Sequence, residues 1–410
     1  MKVWVSADPE IPHHRLDYVL EVWTDASGIQ WRRHRPSDPP PILHFGYADR
    51  GTPFFLRADP GWKHRFPFHP STKIFEGMPI IFGHDDGRSV LPFDPFAATF
   101  WLLTEWEKYD PNFPRDVYGR YDERKSWVIC QRVERRPIIH YWIQRLTVAL
   151  QIQWTPPHRL RIRPTIDVDM PWGFQHRPLW QRLGKALRVG RLHPALWLLG
   201  RSDPYDVRHW NHSLPPSTLF LMLDGGEDHP WSFEFPPYAE MIRQIRRTGF
   251  KIGLHGSLRS GQHPSRWLKE KERLERVAGT GILSNRQHFL RYSLPESYQV
   301  MAAAGIRKEY TTCGSGYVGF KHGIAVPFRW YNPIDDCPTN LRLVPTLWMD
   351  RALMRITTPS RVPALVNELM SEARRWNGSV AVLCHNALWA GMGEWRPWKK
   401  VLLPFFMEQM

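Results

Sequence analysis

The stretch Arg161-Ile-Arg-Pro-Thr-Ile-Asp-Val-Asp169 ends in two carboxylates two residues apart, the spacing at which side chains of a strand share one face. Apolar residues at Leu160, Ile162, Ile166 and Val168 predict that strand, with period two. Two like charges so close repel unless something cationic sits between them. A divalent metal answers that cost, as does a division in which one carboxylate is a ligand and the other a base. Three histidines have matching positions. His255 closes Lys251-Ile-Gly-Leu-His, His288 follows the apolar Ile282-Leu-Ser, and His385 closes Val380-Ala-Val-Leu-Cys-His. Each stands at or just past the carboxyl end of a predicted strand, where β/α folds assemble their sites. A solvated strand end is the plain reading of an isolated Asp-x-Asp, and a structural role that of a lone histidine. Together they point to a metal-dependent hydrolase, because imidazole and carboxylate suit zinc and similar ions and a further histidine can move protons.

The elements that must position these groups form a β/α series. Ser217–Leu223 reads as a buried strand. Tyr238 to Thr248 reads as a helix with Met241, Ile242 and Ile245 on one face, stopped at Gly249. After the Lys251–His255 strand, a helix is predicted from Ser265 to Ala278, a strand at 282–284, and a helix opened by a capping box, Ser293-Leu-Pro-Glu296, and stopped at Gly305. Val362, Leu365, Val366, Leu369 and Ala373 mark a last helix that ends at Gly378 and feeds the strand carrying His385. Such a series closes into a barrel or opens as a parallel sheet. Residues 1–155 have a different texture. Pro39-Pro-Pro41 and Gly51-Thr-Pro53 break them into short strands and loops, with helices expected at Pro95–Glu107, capped by Asp94, and at Ile138–Leu150. This is expected to be an accessory α+β domain, divided near Pro156-Pro157 from a domain spanning 156–410. Its histidines, His13, His14, His44, His64, His69 and His84, lack metal-ligand spacing and are expected on the surface or in loops.

Composition narrows the class. With 42% hydrophobic residues and 21 Trp and 21 Phe spread along 410 positions, the chain is globular rather than disordered. The net charge of +15 comes from scattered rather than clustered arginines, which favours weak attraction to anionic surfaces over specific nucleic-acid binding. No stretch reaches the roughly 18 uninterrupted apolar residues of a spanning helix, and the start lacks a secretory pattern, so the cytoplasm is the expected location. Cys130, Cys313, Cys337 and Cys384 fit neither a disulfide framework nor a zinc spacing and are expected to be buried thiols.

Thr165-Ile-Asp-Val-Asp169, Ile252-Gly-Leu-His255, Ser284-Asn-Arg-Gln-His-Phe-Leu290 and Leu383-Cys-His-Asn386 resemble, in order and spacing, the motifs of the polysaccharide deacetylase family, the NodB-homology group of carbohydrate esterases. The resemblance covers about residues 160–400. The segment from Phe93-Asp-Pro-Phe to Asp116-Val-Tyr-Gly-Arg120 resembles an uncharacterised accessory domain that precedes one bacterial branch of that family. The resemblance implies a distorted (β/α)7 barrel and metal-assisted removal of N- or O-acetyl groups from a sugar, with zinc the expected ion and cobalt, nickel or manganese as substitutes. It assigns Asp167 as general base, Asp169 and His255 as metal ligands, and His385 as the acid that protonates the departing amine or alcohol. Arg286, His176 and Asn386 are candidate substrate or supporting residues. The chain departs from the family pattern twice. Arg259 stands where a second ligand histidine is usual, and arginine has no lone pair to give; the usual Arg-x-Pro reads Arg286-Gln-His288. The third ligand is therefore expected to be His288, seated after a strand, with His263 in the Gly261-Gln-His-Pro264 loop as the alternative.

Other signals carry less. Gly314-Ser-Gly-Tyr-Val-Gly319 has a nucleotide-loop spelling, but the helix that a phosphate site needs has no support in the Gly- and Pro-bearing sequence that follows. Asp-x-Asp also occurs in sugar-nucleotide transferases, here without a preceding nucleotide-binding half. His322 is a further site candidate for which a loop or surface role is the simpler one. The alternative to an active deacetylase of acetylated saccharides is a catalytically silent carbohydrate-binding or scaffold protein of the same fold.

Overall fold

A computed structural model describes residues 1–156, 159–188, 199, 202–210, 217–223 and 230–408. The chain divides into two compact units. The first comprises Met1–Arg161, Phe320–Pro345 and Met370–Ser379; the second comprises Ile162–Gly319, Thr346–Leu369 and Val380–Met410. Pro157, half of the boundary drawn from the sequence, lies outside the described residues.

The first unit opens with a four-stranded sheet ordered Gln30–Arg33, Lys2–Ala7, Leu43–Gly46, Phe54–Arg57, with every neighbouring pair parallel. A parallel pair needs a crossover, and the helix His13–Ser27 supplies it, burying Leu16, Val19, Leu20 and Trp23. Gly28 ends that helix at φ 70°. Parallel pairing through a helix makes this sheet an α/β element, beside an antiparallel pair formed by Thr72–Phe75 and Met78–Ile81. Asp94 caps the helix Pro95–Leu103 by accepting from the Phe96 and Ala97 amides. The helix ends well before Glu107, because Glu105 adopts φ 52° and a short 3-10 turn follows at Trp106–Tyr109. His44 is buried on its strand against Ser6 Oγ (Nδ1 at 2.9 Å) and is not a surface residue. Cys130 and Cys337 are exposed, so only Cys313 and Cys384 are the buried thiols expected.

The second unit is built on parallel strands in the order Lys308–Glu309, Ser284–Gln287, Lys251–Gly256, Thr218–Met222, Arg161–Val168, Ser379–His385, Thr346–Met349. The α/β class read from the sequence holds. Thr346, at the start of the last strand, reaches the residues that follow Lys308–Glu309: its Oγ1 donates to the Tyr310 carbonyl at 3.3 Å, and its amide donates to Thr312 Oγ1 at 3.1 Å. The strand Arg161–Val168 is interior, so Thr165 through Val168 are buried on both faces rather than alternating. The predicted strand at 282–284 is displaced to Ser284–Gln287. The capping box at Ser293 does not form: the helix is Glu296–Ala303, without a side-chain cap, and the Ser293 amide donates to Ser297 Oγ at 2.9 Å.

Candidate active site

The parallel register places the polar groups. Asp167 lies in the last turn of its strand beside Phe220, and Arg286 pairs with His255 across the next strands. Arg286 is fully buried. Its Nη1 donates to Asp167 Oδ1 at 2.8 Å, its Nε donates to the Tyr310 carbonyl at 3.2 Å, and its guanidinium lies 4.6 Å from the Phe220 ring centre. A buried carboxylate thus has its charge matched by a cation held on three sides.

The backbone carbonyl of the same Arg286 lies 2.9 Å from His255 Nδ1. That carbonyl can only accept, so it fixes the Nδ1–H tautomer and leaves a neutral His255 presenting a lone pair at Nε2. Around Nε2 stand His288 Nδ1 at 3.0 Å, Asp169 Oδ1 at 3.2 Å and Asp167 Oδ2 at 3.7 Å, and His288 Nδ1 lies 3.7 Å from Asp169 Oδ1. Electron-pair donors that converge in this way repel unless a proton or a cation lies among them. Ligands about 2.0–2.2 Å from one tetrahedral zinc would be about 3.3–3.6 Å apart. Asp169, His255 and His288 therefore fit a divalent ion in both chemistry and spacing, and among the described residues they form the cluster able to hold one. Burial alone would raise the Asp169 pKa, but the charge of His385 works against it and the carboxyl is held well below its usual range.

His288 begins a short turn, His288–Leu290, in which Phe289 and Leu290 both adopt left-handed φ, 56° and 57°. Strain of that kind, of order 1–3 kcal/mol per residue, persists only where the surroundings impose it. They do so here: Gln287 Nε2 donates to the Gly256 and Ser257 carbonyls, and its amide donates to Thr311 Oγ1. Gly256 makes room for this bridge, since a Cβ there would lie 2.4 Å from Gln287 Oε1.

Opposite stands His385. Its Nε2 is 3.7 Å from Asp169 Oδ2, and its Nδ1 is 2.6 Å from Asp350 Oδ1. Asp350 is fully buried and also accepts from the His385 amide at 2.6 Å. Burial works against a protonated imidazole, but the Asp350 and Asp169 carboxylates outweigh it and push His385 up to about 9. Asp350 was not identified from the sequence, although Thr346-Leu-Trp-Met-Asp350 has the required form of a short apolar strand with a carboxylate at its end.

The other sequence candidates fall into three groups. Asn386 supports the site: its Nδ2 donates to the Met170 carbonyl at 2.6 Å and to the Tyr205 carbonyl at 3.2 Å, tying down the loop after Asp169. Asp203, which no motif or spacing marks out, stiffens the same loop by accepting from the amides of Gly173, Phe174, Gln175 and Tyr205. His176 is exposed, packed edge-on to Trp172, and lines a separate cleft of about 410 Å³ with Arg182, Arg208 and Glu240. His263 is exposed at the start of the helix Pro264–Ala278, outside the cluster. His322 belongs to the first unit. No helix follows Gly319; the described residues there form turns.

Comparison with known proteins adds the following. Residues 13–155 match the model of a family described as being of unknown function (DUF7033). No curated protein sequence matches the chain. Among solved structures, the chain is similar to one from Mycobacterium smegmatis described as a polysaccharide deacetylase, with 18% identity over 62% of this chain and 86% of that one and a TM-score of 0.40. It is similar to a polysaccharide deacetylase from Bacillus cereus, with 9% identity over 61% and 87% and a TM-score of 0.30. It is also similar to a CE4 family pseudoenzyme from Bacillus anthracis, with 10% identity over 63% and 66% and a TM-score of 0.30.

Proposed function

We propose that this chain is a metal-dependent deacetylase that removes N- or O-acetyl groups from a carbohydrate. The observation that carries this reading is the convergence of Asp169, His255 and His288 between a carboxylate backed by arginine, Asp167, and an imidazole backed by carboxylate, His385. Asp169, His255 and His288 would hold the ion, zinc being the best match to this ligand set. A divalent ion supplies Lewis acidity toward an acyl oxygen and toward water.

The remaining work falls to the chain itself. Arg286 occupies Asp167 Oδ1, which leaves Oδ2 to take the proton of the attacking water. His385, protonated up to about 9, holds the proton that the departing amine or alcohol needs, and Asp350 fixes which ring nitrogen delivers it by engaging Nδ1. An amide demands that proton more than an ester does, so an imidazole that stays protonated at neutral pH suits N-acetyl sugars. The loop held by Asn386 and Asp203 keeps Asp169 directed at the histidines.

The test is elemental analysis of protein purified without chelator, together with acetate release from an N-acetylated oligosaccharide. We expect about one divalent ion per chain and metal-dependent acetate release. Absence of both, with no rescue by zinc or cobalt, would instead assign the fold a silent, carbohydrate-binding role.

A further inference from the structure

The helix Leu179–Arg188 is turned inside out. Leu179, Leu183 and Leu187 recur every fourth residue, which with Trp180 makes one apolar stripe. On a helix packed against its own protein that stripe faces the core, yet here these residues are 59, 39, 67 and 71% exposed respectively. What faces inward is the small Ala186, in a cluster with Phe174, Tyr205 and Met392, and the stem of Lys185, whose Nζ lies 4.1 Å over the Tyr205 ring and 3.0 Å from Met170 Sδ. The exposed Arg188 and the partly exposed Arg182, whose Nε donates to the Arg177 carbonyl at 2.7 Å, flank the stripe on either side.

Leucine and tryptophan projecting between arginines, on a chain of net charge +15, match a surface that is apolar beneath an anionic plane. We propose that this helix seats on an anionic lipid bilayer. Met170, which Lys185 touches, directly follows Asp169, so the helix is anchored beside the metal cluster. The consequence, which rests on the deacetylase reading, is that the substrate is an acetylated saccharide carried at a bilayer surface rather than one free in solution.

Co-sedimentation with vesicles tests this, using phosphatidylcholine alone and phosphatidylcholine containing about a third phosphatidylglycerol. The full chain is expected to pellet with the anionic vesicles, less so at high salt, and to stay largely in solution with neutral ones. The double variant Trp180→Ser/Leu187→Ser, altered only at exposed positions, is expected to lose more than about tenfold of that partitioning. Its melting temperature and its rate on a soluble acetylated oligosaccharide should be unchanged. Failure of the wild-type chain to pellet, or equal pelleting of the variant, overturns the proposal. So does self-association of the wild-type chain that the double variant abolishes, which would make the stripe a contact between copies. Acetate release from the soluble substrate, measured in parallel, separates a failure of the lipid proposal from a failure of the enzymatic one.

Discussion

Each unit buries a cluster of charges, and the two are organised on opposite principles. In the first, Lys108 meets Glu105 and lies 2.8 Å from Glu123, Lys321 lies 3.1 Å from Glu123 and 3.4 Å from Glu105, and His322 lies 3.6 Å from Glu105. Burial would raise the Glu105 carboxyl, but the two ammonium groups and His322 hold it well below its ordinary value. Acids there face cations, so the cluster is complete as it stands. In the second, Asp167 and Arg286 make such a pair, and His385 and Asp350 another, but between them Asp169, His255 and His288 turn electron pairs toward one another. Burial of charge therefore does not by itself separate the two clusters. The sign of what remains uncompensated does.

The largest expected effect breaks the second cluster at its centre. Asp169→Asn should remove both the ion and turnover, the latter by roughly 10³-fold or more, whereas Asp167→Asn should cost comparable turnover and keep the ion. Metal analysis alongside acetate release checks the pair, and equal metal loss in both would show that the carboxylates share one role. Next comes the first cluster. Lys108→Met leaves Lys321 alone to balance the buried Glu105 and Glu123 and should destabilise the first unit by roughly 3 kcal/mol, read by chemical denaturation, without changing bound metal. A loss of metal in that variant would erase the contrast drawn above.

A smaller effect sharpens the role of His385. In the proposed role its protonated form is the competent acid, so activity should hold at neutral pH and fall as the pH rises through its raised imidazole pKa. Asp350→Asn removes the main group that raises this pKa, so the alkaline limb should move to lower pH, with a loss of roughly tenfold near pH 8. An unmoved limb would mean that another group sets it. The smallest effect is expected at His263. His263→Ala should leave metal affinity within about twofold, against a loss of more than about 100-fold for His288→Ala. The reverse order would relocate the third ligand.

Strand ends were the more legible feature of the chain. His255 and His385 sit at strand ends because apolar runs leading into a polar residue are a local signal, and Asp94 was legible as a cap for the same reason. What escaped depended on partners distant in the chain. The strand carrying Asp167 looked half-exposed because only its neighbours on both sides bury it. The strand ending in Asp350 is four residues long and follows Val344-Pro345, too short to register a period. Asp203 orders a loop through four amides that no spacing announces. The Ser293 box had the right letters, but Ser297 took the bond a cap would have made. In the first unit, the Pro-rich texture obscured a parallel sheet and its crossover helix.

One residue serves two masters in this site, since Arg286 sets Asp167 with its side chain and His255 with its main chain. In a machine built from parts, two components gauged from separate references accumulate both errors in the gap between them. Gauged from one reference, they inherit the same error, and the gap survives. If the strand Ser284–Gln287 breathes or shifts slightly, Asp167 and His255, the proposed proton acceptor and metal ligand, are carried along together. The separation between them, on which the proposed chemistry depends, is thus insulated from the ordinary motion of the sheet.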